Sequence, residues 1–207
     1  MNTIVLFLLF GVAMALFVYF VSYFFFAFAL RSWLVYRRTK LNPVVLPKED
    51  NAHGYVGRAF KLVMALIAIS VLFQSLGSPW FEMLVVLTLL ESSTAVLVGW
   101  CLLMVSLAWL LIAQSQMGNS WRIGIDSANK TRLVSAGLFG VSRNPIFLSM
   151  RVNLLGLLLV LPTTVTLVAL VAGELLMQIQ VRLEEAHLAA LHGDDYSAYC
   201  NRVRRWL

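Results

Sequence analysis

The residues best suited to chemistry lie between Ser120 and Leu207, in roughly the last two-fifths of the chain. They begin with a basic, glycine-containing loop that ends at Ser142-Arg143-Asn144-Pro145. Pro145 suits the first turn of a helix, and Asn144 suits the cap before it. A second polar group follows near the C-terminus and contains Glu184, Glu185, His187, His192, Tyr196 and Tyr199. This concentration of polar side chains predicts a ligand site in an otherwise apolar protein.

Two more ionisable residues, Arg151 and Glu174, stand within long apolar runs. A charge at that depth costs roughly 2.5–3.5 kcal/mol on insertion scales, so it needs a partner or a wet cavity. Arg151 lies eleven residues before Pro162, and Glu174 lies eleven after Thr163. At ~1.5 Å per residue both are ~17 Å from the turn, which predicts an ion pair. The pair either joins two helices or lines a polar pocket open to the cytoplasm.

The elements that position these residues are membrane helices. Of 207 residues, 60% are hydrophobic and only 13% are charged, whereas about a quarter are charged in soluble domains. Runs of about 20 apolar residues can cross a bilayer. We therefore predict an all-α, polytopic integral membrane protein with about five transmembrane helices and a C-terminal helical hairpin. The runs are 4–30, 62–77, 92–113, 145–161 and 163–181.

Basic residues set the predicted orientation. They concentrate in loops 31–61 and 117–144 and in the C-terminal tail. Five crossings with the N-terminus outside put the C-terminus and the catalytic loops in the cytoplasm, in agreement with the positive-inside rule. Trp80–Glu91 is too short to cross, so we expect an interfacial or re-entrant piece on the outer side. A longer second or third helix is the alternative.

Composition also limits the class of site and partner. The two cysteines, Cys101 and Cys200, form neither a disulfide framework nor a metal-ligand pattern, and we expect no metal. The net charge of +6 fits contact with anionic membrane lipids better than with nucleic acid. His53 is expected to be a loop or interface residue rather than a catalyst.

The order LVxxGxFxxxRNPxF followed by EExxLxxxHGxxYxxYxxxV covers roughly residues 121–207. It resembles the membrane-embedded isoprenylcysteine carboxyl methyltransferases and the related phospholipid methyltransferases. The resemblance divides the chain into transmembrane helices over 1–119 and a cofactor-binding region over 120–207. Compared with the family pattern, Asn144 stands in place of His, Phe147 in place of Tyr and Gln180 in place of a substrate-orienting Arg. Arg182 could replace that Arg only if the helix end distorts.

The resemblance implies an S-adenosylmethionine-dependent membrane methyltransferase that acts on a lipophilic, prenyl- or lipid-like acceptor at the inner leaflet. It also implies a cytoplasmic cofactor pocket, with contacts from Thr131, Arg132, Leu133, Val134, Phe139, Asn144, Pro145, Ile146, Phe147 and Glu184. We predict catalytic or substrate-orienting roles for Arg151, Glu174, Gln180 and Arg182. Two other classes stay open, a membrane reductase of related architecture that uses NADPH and a non-enzymatic membrane protein.

Overall fold

The computed structural model describes residues 3–45, 51–77, 84–124 and 131–207, with side chains of the first helix from Gly11 onward. These residues are helical throughout, apart from turns and two isolated bridges, Val44 with Ile123 and Val86 with Thr163. The all-α prediction is therefore confirmed. The α-helices are α1 (Thr3–Phe24), α2 (Arg31–Thr39), α3 (Ala52–Ser75), α4 (Ser93–Met117), α5 (Pro145–Val160), α6 (Thr164–His192) and α7 (Asp194–Arg202).

Four helical stretches are long and apolar enough to cross a membrane. They are Gly11–Thr39, Ala52–Ser75, Ser93–Ser120 and Thr164–His192. The first is continuous because a π-helical turn, Phe25–Leu30, joins α1 to α2. The remaining predicted crossing, the fourth run at 145–161, corresponds to α5, which has only 16 residues. At 1.5 Å per residue this helix spans about 24 Å, less than the ~30 Å hydrocarbon core. A full crossing by α5 thus stays a prediction.

The helices extend well beyond the apolar runs from which they were predicted. The first continues to Thr39, α3 begins ten residues early at Ala52, and α6 continues eleven residues past Val181 to His192. The predicted boundaries were wrong at these ends because charged residues stop a membrane span without stopping a helix. At the start of α3, the Asn51 side chain accepts a hydrogen bond from Gly54 N at 2.9 Å and caps the helix.

Residues 84–91 form a cover over the turn between α5 and α6. Leu87 N donates to Pro162 O at 2.8 Å, and Thr164 N donates to Val85 O at 2.9 Å. Thr163 and Thr166 form a capping box that begins α6. A longer α4 is therefore wrong for these eight residues, which are neither a crossing nor part of that helix. The rest of the predicted re-entrant piece, over 80–83, lies outside the described residues.

Close backbone approach holds α4 against α5. A Cβ built at Gly99 would lie 2.8 Å from Val160 Cγ2 and 2.9 Å from Gly156 O. Since larger residues would force the helices apart, the two glycines fix the helix pair that carries Asn144. Elsewhere α1 packs against α3, and α3 packs against α6. Helix α6 also contacts α5 and α7, so it connects the N-terminal helices with the C-terminal part of the chain.

Candidate active site

A cavity of about 570 Å³ opens at one end of the helix bundle. We call this the basic end, because Arg122, Arg143 and Lys61 line the cavity there. From that rim the cavity continues between α1, α3, α5 and α6 into an interior of aromatic and aliphatic side chains. Members of this interior include Phe20, Phe24, Phe60, Ile67, Phe147, Leu157 and Met177. The shape can hold a ligand with a polar end and a long apolar part.

Three polar side chains on two helices meet inside the rim. Gln180 Nε2 donates to Glu184 Oε1 at 2.9 Å, and Gln180 Oε1 lies 3.1 Å from His53 Nδ1. Because a carboxylate only accepts hydrogen bonds, the Gln180 amide must turn its nitrogen to Glu184. Its oxygen then accepts from the Nδ1–H of His53. Gln180 is only 6% exposed, so this arrangement is set by the fold and joins α3 to α6.

A second polar group surrounds the start of α5. The Glu185 carboxylate forms salt bridges with two arginines, with Arg143 Nη2 at 3.2 Å and with Arg205 Nη2 at 2.7 Å. Asn144 Nδ2 donates to Glu185 Oε1 at 3.1 Å and to the Arg205 carbonyl at 3.2 Å. The hydrogen bond to the Glu185 carboxylate raises the pKa of the Arg205 guanidinium. The hairpin of α5 and α6 therefore brings Glu185 to Arg143.

Helix α7 closes this group from the C-terminal side. Tyr199 Oη donates to Phe139 O at 2.6 Å, which ties α7 to the loop before α5. Burial raises the pKa of Tyr199 to about 12 and also raises the pKa of its neighbour Tyr196. Both phenols are buried and stay neutral at physiological pH. They are packing and hydrogen-bonding groups rather than the interface anchors that their types favour.

Six of the ten residues predicted to contact a cofactor line the cavity. They are Phe139, Asn144, Pro145, Ile146, Phe147 and Glu184. The other four, Thr131, Arg132, Leu133 and Val134, are not brought to its wall; the Arg132 carbonyl instead accepts from Ser120 Oγ at 3.3 Å. Asp126 and Lys130 of the same predicted loop lie outside the described residues. The motif therefore located the start of α5 and the carboxylate of α6 better than the loop before them.

The four predicted catalytic residues separate into one inside the cavity and three outside it. Gln180 lines the cavity, whereas Arg182 is exposed and donates back to Gln178 O at 2.6 Å. Helix α6 is regular at this position, so the Arg182 side chain does not reach the cavity. Arg151 Nε lies 2.6 Å from Glu174 Oε2, as predicted from the turn, and its guanidinium stacks 4.4 Å from the Trp206 ring centre. Neither residue of this ion pair is on the cavity wall, so its position supports the joining role and not the pocket role.

The cavity also contains residues that sequence reasoning missed. His53 was expected in a loop, yet it lies in the first turn of α3 and lines the cavity beside Gln180. Tyr19 and Asn153 meet at the inner part of the wall, with the Tyr19 hydroxyl 2.5 Å from Asn153 Oδ1. Asn153 sits in a predicted membrane helix, and a polar residue there was the available signal. His53 gave none, because the contact with Gln180 joins residues 127 positions apart.

Comparison with known proteins places this site in a family. A comparison with curated proteins finds no match. The phospholipid methyltransferase family, in contrast, matches residues 94–195. That range contains nearly all of α4 and the whole of α5 and α6, hence Asn144, Gln180 and Glu184, whereas His53 and the C-terminal tail lie outside it. The match indicates a membrane methyltransferase, in agreement with the apolar helices. The chain is thus similar to the phospholipid methyltransferase family over residues 94–195, and the predicted resemblance is confirmed.

Proposed function

We propose that the protein is an S-adenosylmethionine-dependent methyltransferase that methylates a lipophilic acceptor at the inner membrane leaflet. The observation that carries the proposal is the cavity, with its polar rim at the basic end and its apolar interior between the helices. The rim suits a soluble, polar donor, and the interior suits the chain of a lipid.

The donor set of the rim fits S-adenosylmethionine, which supplies an electrophilic methyl group on a sulfonium. Glu184 can accept hydrogen bonds from a ribose hydroxyl or an ammonium group. Aromatic faces at Phe139 and Phe147 favour a nearby cation. Apolar side chains such as Met150 and Ile146 exclude water from the same space. Alignment and exclusion of water are the main contributions that a protein makes to this displacement.

The orientation at the inner leaflet rests on charge. The basic end carries the arginines of the rim and of the C-terminal tail, and basic residues concentrate on the cytoplasmic side of membrane proteins. A soluble donor made in the cytoplasm would meet the rim directly. The acceptor would bring its reactive group to the rim with its chain in the apolar interior, which is the arrangement that in-line transfer needs.

Methyl transfer to extracted membrane lipids tests the proposal. Purified protein in lipid nanodiscs is incubated with S-adenosylmethionine labelled in its methyl group, and the lipid fraction is separated and its products identified. We expect label in a lipid product with the wild type, and a loss of about tenfold or more with Glu184→Gln, which removes a charged acceptor from the rim. Asp195→Asn is the matched control because Asp195 is an exposed carboxylate of α7. Absence of labelled lipid with the wild type, or equal loss in the two variants, would refute the proposal.

A further inference from the structure

The C-terminal tail, residues 203–206, lies across the start of α5 and is bonded to it by its backbone. Arg143 N donates to Arg204 O at 2.9 Å, and Arg143 Nη1 donates to Val203 O at 3.2 Å. Ser142 Oγ donates to the Arg205 carbonyl at 3.2 Å. The tail therefore stands directly behind two residues of the cavity rim, Arg143 and Asn144.

The partners of Asn144 fix which end of its amide faces the cavity. Its amide contacts Glu185 Oε1 at 3.1 Å and the Arg205 carbonyl at 3.2 Å. Both partners can only accept, so both N–H groups of Asn144 must point away from the cavity, towards the tail. No hydrogen bond within the described part of the chain reaches Asn144 Oδ1, and this oxygen is not among the fully enclosed polar atoms without a partner. The oxygen is thus left to accept a hydrogen bond inside the cavity.

Arg205 sets this arrangement from outside the cavity. Its Nε and Nη2 donate to Glu185 Oε2 at 3.0 and 2.7 Å. One carboxylate oxygen therefore accepts two charge-assisted hydrogen bonds from the guanidinium. The other oxygen of Glu185 is thereby presented to Asn144. Arg205 also supplies the carbonyl that takes the second N–H of Asn144. Arg204, which precedes Arg205 in the tail, is exposed. Its side chain makes no hydrogen bond or ion pair with residues that the structure describes.

We propose that Arg205 is a positioning residue that holds the Asn144 amide oxygen towards the cavity, where it accepts a hydrogen bond from an amino or hydroxyl group of the ligand. The family pattern has a histidine in place of Asn144, which could donate or accept. In this chain both N–H groups of Asn144 are already engaged, so the side chain can only accept a hydrogen bond in the cavity. The inference rests on the proposed function for the identity of the ligand, but the orientation of the amide depends only on its contacts with Glu185 and with the tail.

Calorimetry of the full-length protein in detergent with S-adenosylhomocysteine tests the role of Arg205. We expect Arg205→Ala to raise the dissociation constant by about tenfold, Arg205→Lys to restore part of the affinity, and Arg204→Ala to change it by less than about twofold. Because Arg205 acts through Asn144, Asn144→Ala and the double variant Asn144→Ala/Arg205→Ala should bind equally weakly. Additive losses in the double variant, or equal losses in Arg204→Ala and Arg205→Ala, would overturn the proposal.

A second measurement separates this proposal from the proposed function. If the wild type does not bind S-adenosylhomocysteine, the proposed function fails, and the side-chain amide of Asn144 decides the role of Arg205. In nuclear magnetic resonance of asparagine-labelled protein, we expect its N–H signals to exchange slowly with solvent in the wild type and in Arg204→Ala. They should exchange quickly in Arg205→Ala. Equal exchange in all three proteins would overturn the positioning role.

Discussion

At the scale of single residues, the rim of the cavity is built from side chains whose orientation is determined by acceptor-only partners. Glu184 orients Gln180, and Glu185 with the Arg205 carbonyl orients Asn144. In both cases an amide oxygen is left on the opposite side, one for His53 and one for the cavity. Since an arginine side chain can only donate, Gln180 differs from the family pattern by offering an acceptor, which His53 occupies.

Replacing Gln180 should weaken ligand binding, whereas replacing the glutamine two residues before it should not. Gln180→Ala removes the donor to Glu184 and the acceptor for His53, so we expect the dissociation constant of S-adenosylhomocysteine to rise by about tenfold. Gln178→Ala is the matched control because Gln178 contacts Glu174 and Arg182, outside the cavity. Calorimetry measures both variants. Equal effects would show that Gln180 acts only through the stability of α6.

The order of the motifs predicted part of this site and not the rest. Asn144 and Phe147 lie at the start of α5, and Glu184 lies on the facing part of α6, so their proximity was predictable from the hairpin turn at Pro162. The contact between His53 and Gln180 depends on how α3 packs against α6, which no local pattern encodes. Thr131–Val134 follow a segment that is not described, and the motif alone did not bring them to the cavity.

At the scale of helices, the hairpin of α5 and α6 carries most of the site. Its length arithmetic correctly predicted the contact between Arg151 and Glu174, since both lie equally far from the turn. The hydrophobic runs located the four helices of the described residues that are long and apolar enough to cross a membrane, but not the ends of those helices. Charged and polar turns such as 182–192 continue the α6 helix beyond the apolar stretch, and hydropathy cannot distinguish a helix that leaves the bilayer from one that ends there.

Replacing both residues of the intramembrane ion pair should lower the free energy of unfolding less than replacing Arg151 alone. Arg151→Ala leaves Glu174 without its cation among apolar neighbours, so we expect a larger loss of unfolding free energy than in Arg151→Ala/Glu174→Ala. The expected coupling is about 1 kcal/mol, because both side chains are about one-third exposed and Trp206 also contacts Arg151. Denaturant titration in mixed micelles measures the four proteins of the cycle. Simple additivity of the two single losses would show that the residues are not coupled.

At the scale of the whole molecule, the N-terminal helices and the family-matched segment jointly enclose the cavity. α1 and α3 supply much of the apolar wall, including Phe20, Phe24, Phe60 and Ile67. The polar rim is shared between α3, the loop before α5, and α6. The family match over residues 94–195 thus covers the polar half of the cavity more fully than the apolar half. The part of the cavity wall that lies outside the match is therefore mostly apolar.

Titration of the full-length protein with S-adenosylhomocysteine, in parallel with NADPH, tests the central claim most directly. The geometry of the rim predicts saturable binding of S-adenosylhomocysteine that falls by about tenfold or more in Glu184→Ala, and no binding of NADPH. The same affinity in Glu184→Ala as in the wild type, no binding of S-adenosylhomocysteine to the wild type, or binding of NADPH in its place would contradict the claim that this cavity holds a methyl donor.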